Sequence, residues 1–203
     1  MPLELLPASL EDVPILTSIY FSAFQDALAL ALFPRTEGVR LWWESHLDEE
    51  MRNEPEARFL KVIDLNTKEI IAFAKWVLPS QETRADETPS WPEDSNNELC
   101  NEFFGNLAKA HADIMGSIPH YYLELLVTLN AHQGRGAGSM LVKWGAERAD
   151  QEGLEAWLEA SEKGLRLYER FGWQKVTEVV TLGGSYIESC MRRRSRSAAN
   201  CMK

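Results

Sequence analysis

The sequence predicts a mixed α/β fold in a single domain, and this prediction depends on three observations. The chain has 203 residues, 45 % of them hydrophobic, so it can bury one sizeable core. Two β-rich runs flank a short turn in the first half, and strand-like and helix-like segments alternate in the second half. No internal repeat is visible. We expect residues 1–191 to form the domain and residues 192–203 to form a flexible tail.

The first segment is predicted to be a short strand over residues 3–9 that leads into a helix. Ser9 suits the N-cap of that helix, and Asp12 follows three residues later, as in a capping box. The helix is amphipathic, with apolar residues at helical spacing. Its predicted apolar positions are Ile15, Ile19 and Ala23, with Leu16 and Tyr20 beside them.

A second helix and a β-hairpin are predicted next. The helix covers residues 37–54, and its charged surface is expected to be anchored by Leu41, Trp42 and Leu47. The hairpin covers residues 58–79, where two β-rich runs flank a turn that contains Asn66. An acidic, proline-containing surface loop is expected over about 80–98.

The second half is predicted to continue with helices and strands in alternation. A glycine-rich loop over 131–138 separates a strand from a helix that ends near Gly153, a residue suited to a helix C-terminus. The predicted apolar stripe of that helix consists of Ala137, Met140, Leu141 and Trp144. The other predicted elements are a helix over 99–116, strands over 121–128 and 154–160, a short helix over 162–172, and closing strands over 173–182 and 185–192.

Composition excludes several functional classes. The formal net charge of −10 argues against a nucleic-acid-binding protein and is compatible with a cationic partner. Three cysteines and four histidines are scattered without the spacing of a disulfide framework or a metal site, so we expect no metal. The sequence contains no signal-peptide pattern and no apolar run of membrane-spanning length. We therefore expect a cytoplasmic protein without a membrane partner, either a monomer or a homodimer.

The glycine-rich loop has the sequence features of an anion-binding site. Gly134, Gly136 and Gly138 lie between a predicted strand and a predicted helix. Unpaired backbone N–H groups and the helix dipole favour negative charge at such a helix N-terminus. The spacing matches neither the P-loop pattern GxxxxGK[ST] nor the dinucleotide pattern GxGxxG. The alternative is a tight turn that binds nothing.

The loop does match the pattern Q-x-x-G-x-G, through Gln133, Gly136 and Gly138. With this spacing the chain resembles the GCN5-related N-acetyltransferase (GNAT) family. In that family the backbone N–H groups of this loop hold the pyrophosphate of acetyl-CoA.

A second family signature follows in residues 159–173. Tyr168 matches a tyrosine in a short helix, and Gly172 and Trp173 match a Gly-Phe pair. Ser161 stands where the widespread form has Asn, a variant that resembles the fungal-type branch of the family. Ser161 can still donate one hydrogen bond. The strand and the two signatures together cover residues 121–173.

The resemblance implies a fold, a co-substrate and a set of binding residues. The fold is a mostly antiparallel twisted sheet, splayed between its fourth and fifth strands and flanked by helices. The co-substrate is acetyl-CoA, and no metal is required. The cofactor-binding residues to which the resemblance points are Leu126, Val127, Thr128, Gln133, Gly134, Arg135, Gly136, Ala137, Gly138, Ser139, Ser161 and Tyr168. Arg135 is equally compatible with a solvated surface residue.

Glu124 is the sequence candidate for the catalytic base. An alkyl amine with a pKa of about 10.4 is almost fully protonated at pH 7, so its nitrogen needs a proton acceptor. Strand alternation predicts that Glu124 lies on a half-polar face of its strand. That face comprises Tyr122, Glu124, Leu126 and Thr128, and the opposite, apolar face comprises Tyr121, Leu123, Leu125 and Val127. The alternative is a solvated or ion-paired Glu124 that attracts a cationic substrate.

Tyr168 is the candidate acid that protonates the departing thiolate. A tyrosine with a pKa of about 10 can transfer its proton to a thiolate without a large pKa shift. The alternative is a core aromatic residue, since Leu165, Tyr168 and Phe171 form a helical stripe. A backbone N–H near Leu126 to Thr128 is expected to polarise the thioester carbonyl.

The sequence thus predicts an N-acetyltransferase, an acyltransferase that moves an acetyl group directly to a small amine in a ternary complex. The amine is expected to be cationic or aromatic; the acidic composition fits a cationic acceptor and fits bulk solubility equally well. Two alternatives stay open. One is a protein acetyltransferase that acts on lysine or an N-terminus, and the other is a non-catalytic acyl-CoA-binding protein.

Overall fold

The computed structural model describes residues 2–80 and 89–195, and within them seven strands form one sheet. The strands are β1 Leu3–Pro7, β2 Ala57–Asp64, β3 Ile70–Val77, β4 His120–Thr128, β5 Glu155–Ser161, β6 Gln174–Thr181 and β7 Tyr186–Arg193. Their order across the sheet is β1-β2-β3-β4-β5-β7-β6. Every neighbouring pair is antiparallel except β4 and β5, which are parallel. The predicted mixed α/β fold with a mostly antiparallel sheet is confirmed.

Helices cover both faces of the sheet. They are α1 Val13–Ala23, α2 Ala27–Leu32, α3 Glu37–Asn53, α4 Asn97–Met115, α5 Ala137–Glu152 and α6 Leu165–Arg170. Helix α5 packs across β1 to β5 on one face, while α1, α3 and α4 pack on the other. Two large hydrophobic clusters result, one under α5 and one under α1 and α3. None of the helices in the described part of the chain has the length and apolar character needed to cross a membrane.

Strands β4 and β5 are hydrogen-bonded along only part of their length. Pairing runs from His120 to Leu123 on β4 and from Glu155 to Leu158 on β5. Beyond those residues the two strands separate, and β5 continues beside β7 alone. The sheet therefore splays open at the predicted place, between the fourth and fifth strands.

A β-bulge interrupts β4 at Glu124. Lys75 of β3 pairs with Leu125 and Trp76 pairs with Leu123, so Glu124 has no directly opposed residue. One extra residue in a strand shifts the side-chain alternation. As a result Tyr121 and Leu123 pack with the cluster under α5, whereas Leu125 and Val127, which were predicted on the same face, pack with the cluster under α1 and α3. Strict alternation predicted one apolar face along the whole of β4, and the bulge explains why the apolar residues change face at Glu124.

The predicted buried faces of two helices need correction. Ile15 of α1 is 48 % exposed and Leu41 of α3 is 53 % exposed, although Ile15 was predicted on the apolar face of its helix and Leu41 as an anchor. The buried residues are Val13, Leu16, Thr17, Ile19 and Tyr20 in α1, and Val39, Trp43, Leu47 and Glu50 in α3. The apolar periodicity identified both helices. Because both sequences have apolar residues on more than one side, however, it predicted a face next to the one that is buried. Helix α2 was not predicted separately, and its six residues are too few to show a period.

The C-terminal boundary also differs from the prediction. Strand β7 continues to Arg193, and Arg193 and Ser195 are buried. The Arg193 guanidinium donates to both carboxylate oxygens of Asp150, at 2.9 and 2.6 Å, so residues 192 and 193, predicted as part of a flexible tail, belong to β7. Residues 196–203 of that tail and residues 81–88 of the predicted acidic loop lie outside the described residues.

Candidate active site

A cleft of about 2030 Å³ opens where β4 and β5 separate. The walls include both predicted catalytic residues, Glu124 and Tyr168. They also include these predicted cofactor-binding residues: Leu126, Val127, Thr128, Gln133, Gly134, Gly136, Ala137, Gly138, Ser139 and Ser161. Residues that are distant in the sequence thus meet at one opening. Arg135 is the one predicted site residue that does not line the cleft.

The three glycines of the loop have two different structural roles. Gly134 and Gly136 have φ angles of 74° and 96°, a left-handed region in which glycine is favoured. Gly138 lies in the first turn of α5, where an added Cβ would be 3.2 Å from a methyl carbon of Leu167. No side chain in the described part of the chain caps the N-terminus of α5, whose N-cap is Gly136. Bare backbone N–H groups therefore face an end of the cleft, as an anion site requires.

Two arginines lie near this loop, and only one lines the cleft. The Arg135 guanidinium binds Asp64 and His132, and it lowers the pKa of Asp64 by donating a hydrogen bond. Arg170 of α6 lines the cleft and donates to Ser139 Oγ at 3.3 Å. Sequence reasoning missed Arg170, although its position two residues after Tyr168 gave a usable signal.

Tyr168 is buried in the wall of the cleft, with 7 % of its surface exposed. Its ring packs edge-on against Trp173, with ring centroids 6.4 Å apart. Burial raises the pKa of Tyr168, and the negative charge of Glu188 raises it further. The phenol therefore keeps its proton at neutral pH, and it is a weaker acid than the ordinary tyrosine assumed in the sequence-based prediction.

Glu124 is held by a buried ion cluster that was not apparent from the sequence. Its Oε1 lies 3.0 Å from Nζ of Lys75, a β3 residue with only 2 % of its side chain exposed. Lys75 also binds Glu50 of α3 at 2.5 Å and Glu54 at 3.5 Å. Burial alone would raise the pKa of Glu50, but the hydrogen bond from His46 and the charge of Lys75 outweigh it and lower the pKa to about 2. The cluster fixes α3 to the sheet beside Glu124.

Two further glutamates in the cleft were missed by sequence reasoning. Glu159 of β5 accepts hydrogen bonds from Tyr122 at 2.8 Å and from the Trp157 indole at 2.5 Å. Burial raises the pKa of Glu159 to about 7, against the lowering effect of those hydrogen bonds. Glu188 of β7 accepts from Tyr186 at 2.9 Å, and burial raises the pKa of this carboxyl to about 7 as well.

Aromatic side chains form the wall of the cleft next to α1, α2 and α3. Tyr20 and Trp43 lie with ring centroids 4.1 Å apart, and Trp42 stacks on His46 at 4.8 Å. Phe33 contacts both tryptophans. All five residues line the cleft, so Trp42 and Trp43 belong to its wall.

Two histidines nine positions apart also line the cleft and contact each other. His111 Nε2 and His120 Nε2 are 2.6 Å apart, and the His111 ring stacks on Trp157. Within residues 2–80 and 89–195, no group of three or more His, Cys, Asp or Glu residues is arranged to hold a metal ion.

Solved structures with the same architecture cover nearly the whole chain at low identity. One is a Corynebacterium glutamicum protein described as histone acetyltransferase HPA2 and related acetyltransferase, with 19 % identity, 96 % of this chain and 97 % of that chain covered, and a TM-score of 0.65. Another is the C-terminal condensation domain of Ebony in complex with beta-alanyl-dopamine, with 14 % identity, 96 % and 99 % coverage, and a TM-score of 0.70. A third is mosquito arylalkylamine N-acetyltransferase like 5b, with 13 % identity, 95 % and 100 % coverage, and a TM-score of 0.65.

Sequence comparison identifies the family. A search of curated protein sequences finds no match. The model of the acetyltransferase (GNAT) family matches residues 25–173, which is most of the chain and includes both the glycine-rich loop and Tyr168. Family membership implies acetyl-CoA as co-substrate. The chain belongs to the GNAT family of acetyltransferases and is an acyltransferase.

Proposed function

We propose that this protein transfers an acetyl group from acetyl-CoA directly to the nitrogen of a small amine. The main support is the cleft between β4 and β5, which combines a backbone anion site with buried carboxylates and a buried tyrosine. Acyl transfer to an amine needs these groups together, because charge must be held, a proton removed and a thiolate protonated.

The glycine-rich loop suits the pyrophosphate of acetyl-CoA. Gly134 and Gly136 turn the backbone so that the uncapped N-terminus of α5 faces the cleft. Arg170 adds a positive charge beside Ser139. Over Leu126 to Thr128 strand β4 is no longer paired with β5, and this edge fits an extended amide-containing arm and the thioester oxygen. When bound, acetyl-CoA would supply the activated acetyl group.

Tyr168 is proposed as the acid, and Glu124 is proposed as the residue that contacts the acceptor amine. The Tyr168 hydroxyl would protonate the sulfur as the thioester bond breaks. Two roles suit Glu124: it can accept a proton directly or through water, or it can hold the positive charge of the incoming ammonium beside Lys75. Ser161 would contribute a hydrogen bond at the far end of β5. The Ser161 variant supports a place in the fungal-type branch of the family.

The acceptor is proposed to be a cationic amine with an apolar or aromatic body. Carboxylates on β4, β5 and β7 favour a positive charge in the cleft, and the aromatic wall favours a flat apolar group. Two structural neighbours support this choice, since one is named as an arylalkylamine N-acetyltransferase and another was solved with a dopamine derivative.

The test is thiol release from acetyl-CoA with a panel of amines. 2-Phenylethylamine should give a higher kcat/KM than butylamine, because only the first can use the aromatic wall. Initial velocities should depend on both substrates in the intersecting pattern of a ternary complex. Activity confined to peptides with a lysine or a free N-terminus would indicate a protein acetyltransferase instead. Binding of acetyl-CoA without release with any amine would indicate a non-catalytic protein.

A further inference from the structure

We propose that Glu159, and not Glu124, takes the proton from the acceptor amine, while Glu124 holds the positive charge of that amine. This inference rests on the proposed function and adds a catalytic residue to it. It starts from the place where the sheet opens. Leu123 and Leu158 are the last paired residues of β4 and β5, so Glu124 and Glu159 are the first residues beyond the pairing on each strand.

The two carboxylates lie on opposite walls of the cleft and influence each other. Both line the cleft, and the charge of Glu124 acts on Glu159. Because Glu124 and Glu159 directly follow the paired Leu123 and Leu158, the charge of an ammonium group bound at Glu124 acts on Glu159 as well. Glu188 lies opposite Ser161 near the other end of β5, and its charge acts on Tyr168.

The surroundings of the two carboxylates suit different tasks. Glu124 shares the buried Lys75 with Glu50, so a proton placed on Glu124 would remove a counter-charge from a buried ammonium. Glu159 contacts only neutral donors, the Tyr122 hydroxyl and the Trp157 indole, among the residues that the structure describes. Each of its oxygens accepts one hydrogen bond and has a further lone pair for a proton.

The groups facing Glu159 come from several elements. The direct neighbours are Tyr122 and Glu124 on β4, Trp157 on β5, and Cys190 and Glu188 on β7. Two further groups act through a neighbour: Lys75 on β3 binds Glu124, and His111 on α4 stacks on Trp157. Burial places the pKa of Glu159 at about 7, so the carboxyl can exchange a proton near neutral pH.

The proton and electron balance is complete with the groups named. The ammonium nitrogen gives one proton to Glu159, and its lone pair forms the bond to the acetyl carbon. The carbon–sulfur bond breaks with its electron pair on sulfur, and Tyr168 gives its hydroxyl proton to that sulfur. The second proton lost by nitrogen returns to Tyr168, and Glu159 releases its proton to solvent.

The experiment compares Glu159→Gln, Glu124→Gln and Glu188→Gln, with Glu147→Gln on the exposed face of α5 as the matched control. The kcat/KM for thiol release with 2-phenylethylamine is measured from pH 5.5 to 9. The wild-type rate should rise with pH through an apparent pKa near 7. Glu159→Gln should lose this dependence and about 10²-fold of kcat/KM. Glu124→Gln should keep the dependence but shift it to lower pH, since burial still raises the pKa of Glu159 but the added effect of the Glu124 charge is gone.

A second measurement does not depend on turnover. Calorimetry of 2-phenylethylamine binding near pH 6.5, in two buffers of different ionisation enthalpy, counts the protons released. The wild type should release a fraction of a proton, because a bound ammonium favours ionised Glu159, and Glu159→Gln should release clearly less, leaving only the contribution of Glu188. Glu159→Asp should recover part of both signals, since it restores a carboxylate in the same surroundings.

Two results would overturn the inference. A pH dependence that survives in Glu159→Gln and vanishes in Glu124→Gln or Glu188→Gln would assign the base to that other residue. Unchanged proton release in Glu159→Gln would likewise show that Glu159 is not the proton acceptor. Absence of thiol release by the wild type with every amine, despite acetyl-CoA binding, would instead overturn the proposed function and this inference with it.

Discussion

At the scale of single residues, the three glutamates of the cleft differ through their neighbours. Glu124 meets the ammonium of Lys75, whereas Glu159 and Glu188 accept hydrogen bonds from neutral side chains. Glu124 could be named from the sequence, because an acidic residue in an otherwise apolar strand stands out. Glu159 and Glu188 could not, since only the pairing of β5 with β7 brings them into one cleft.

Replacement of Tyr168 by Phe tests the proposed acid. Phe keeps the ring that packs against Trp173 and removes only the hydroxyl. We expect kcat to fall by about 10²-fold, the lower end of the range for general acid catalysis, with little change in acetyl-CoA affinity. Steady-state kinetics and calorimetry measure the two quantities. An unchanged kcat would remove the hydroxyl from the reaction.

Replacement of Lys75 by Met tests the buried ion cluster. The Glu50 side chain is only 9 % exposed, so loss of Lys75 would leave a buried carboxylate without its ammonium partner. We expect the free energy of unfolding to fall by about 3–5 kcal/mol, measured by urea denaturation. Lys109→Met, which breaks an exposed ion pair on α4, is the control and should have little effect. Equal effects of the two variants would contradict the account of the cluster.

The same cluster should make the free energy of unfolding depend on pH in the acid range. Glu50 has a pKa of about 2 in the folded protein against an ordinary value of 4.5, so it stabilises the fold above pH 4.5. This contribution should be lost as the pH falls from 4.5 towards 2. In Glu50→Gln the free energy of unfolding should therefore fall less steeply over that interval, as followed by urea denaturation at each pH. A slope equal to that of the wild type would argue against a lowered pKa.

At the scale of elements, α5 connects the glycine loop to the core. Its buried face includes Gly145, which lies against the Trp76 ring of β3. Periodicity predicted the helix and its C-terminal Gly153, and both are confirmed. No sequence pattern indicates that Gly145 is a packing residue, because that role depends on a partner nearly seventy positions away. Strand alternation also could not predict the bulge at Glu124.

Substitutions of two helical glycines should have opposite effects. A Cβ at Gly145 would lie 2.4 Å from the Trp76 ring, whereas a Cβ at Gly105 in α4 would have no atom within 4 Å. Gly145→Ala should destabilise the protein by about 1–3 kcal/mol through overpacking. Gly105→Ala should stabilise it by about 0.4–1 kcal/mol through lower entropy of the unfolded chain. Thermal and urea unfolding measure both changes, and destabilisation by Gly105→Ala would contradict the packing described for α4.

At the scale of the whole molecule, the cleft exists because the sheet has one parallel pair that separates. Residues from both halves of the chain meet there, including Lys75 of the hairpin and Tyr168 of α6. The family resemblance predicted the splayed sheet, and the order of elements alone predicted only a mixed α/β domain. The ion cluster and the aromatic wall depend on how α1 to α4 pack across the sheet, which local sequence patterns do not specify.

The most direct test of the central claim is a titration of the isotope-labelled protein with acetyl-CoA, followed by ¹⁵N–¹H NMR. Binding in the cleft should move the backbone amide signals of residues 134–139 and 126–128 most strongly, and signals of the exposed face of α4 should change little. Gly136→Ala, which strains a residue with φ of 96°, should weaken these shifts. Strong shifts confined to other parts of the molecule, or no binding by the wild type, would contradict the account.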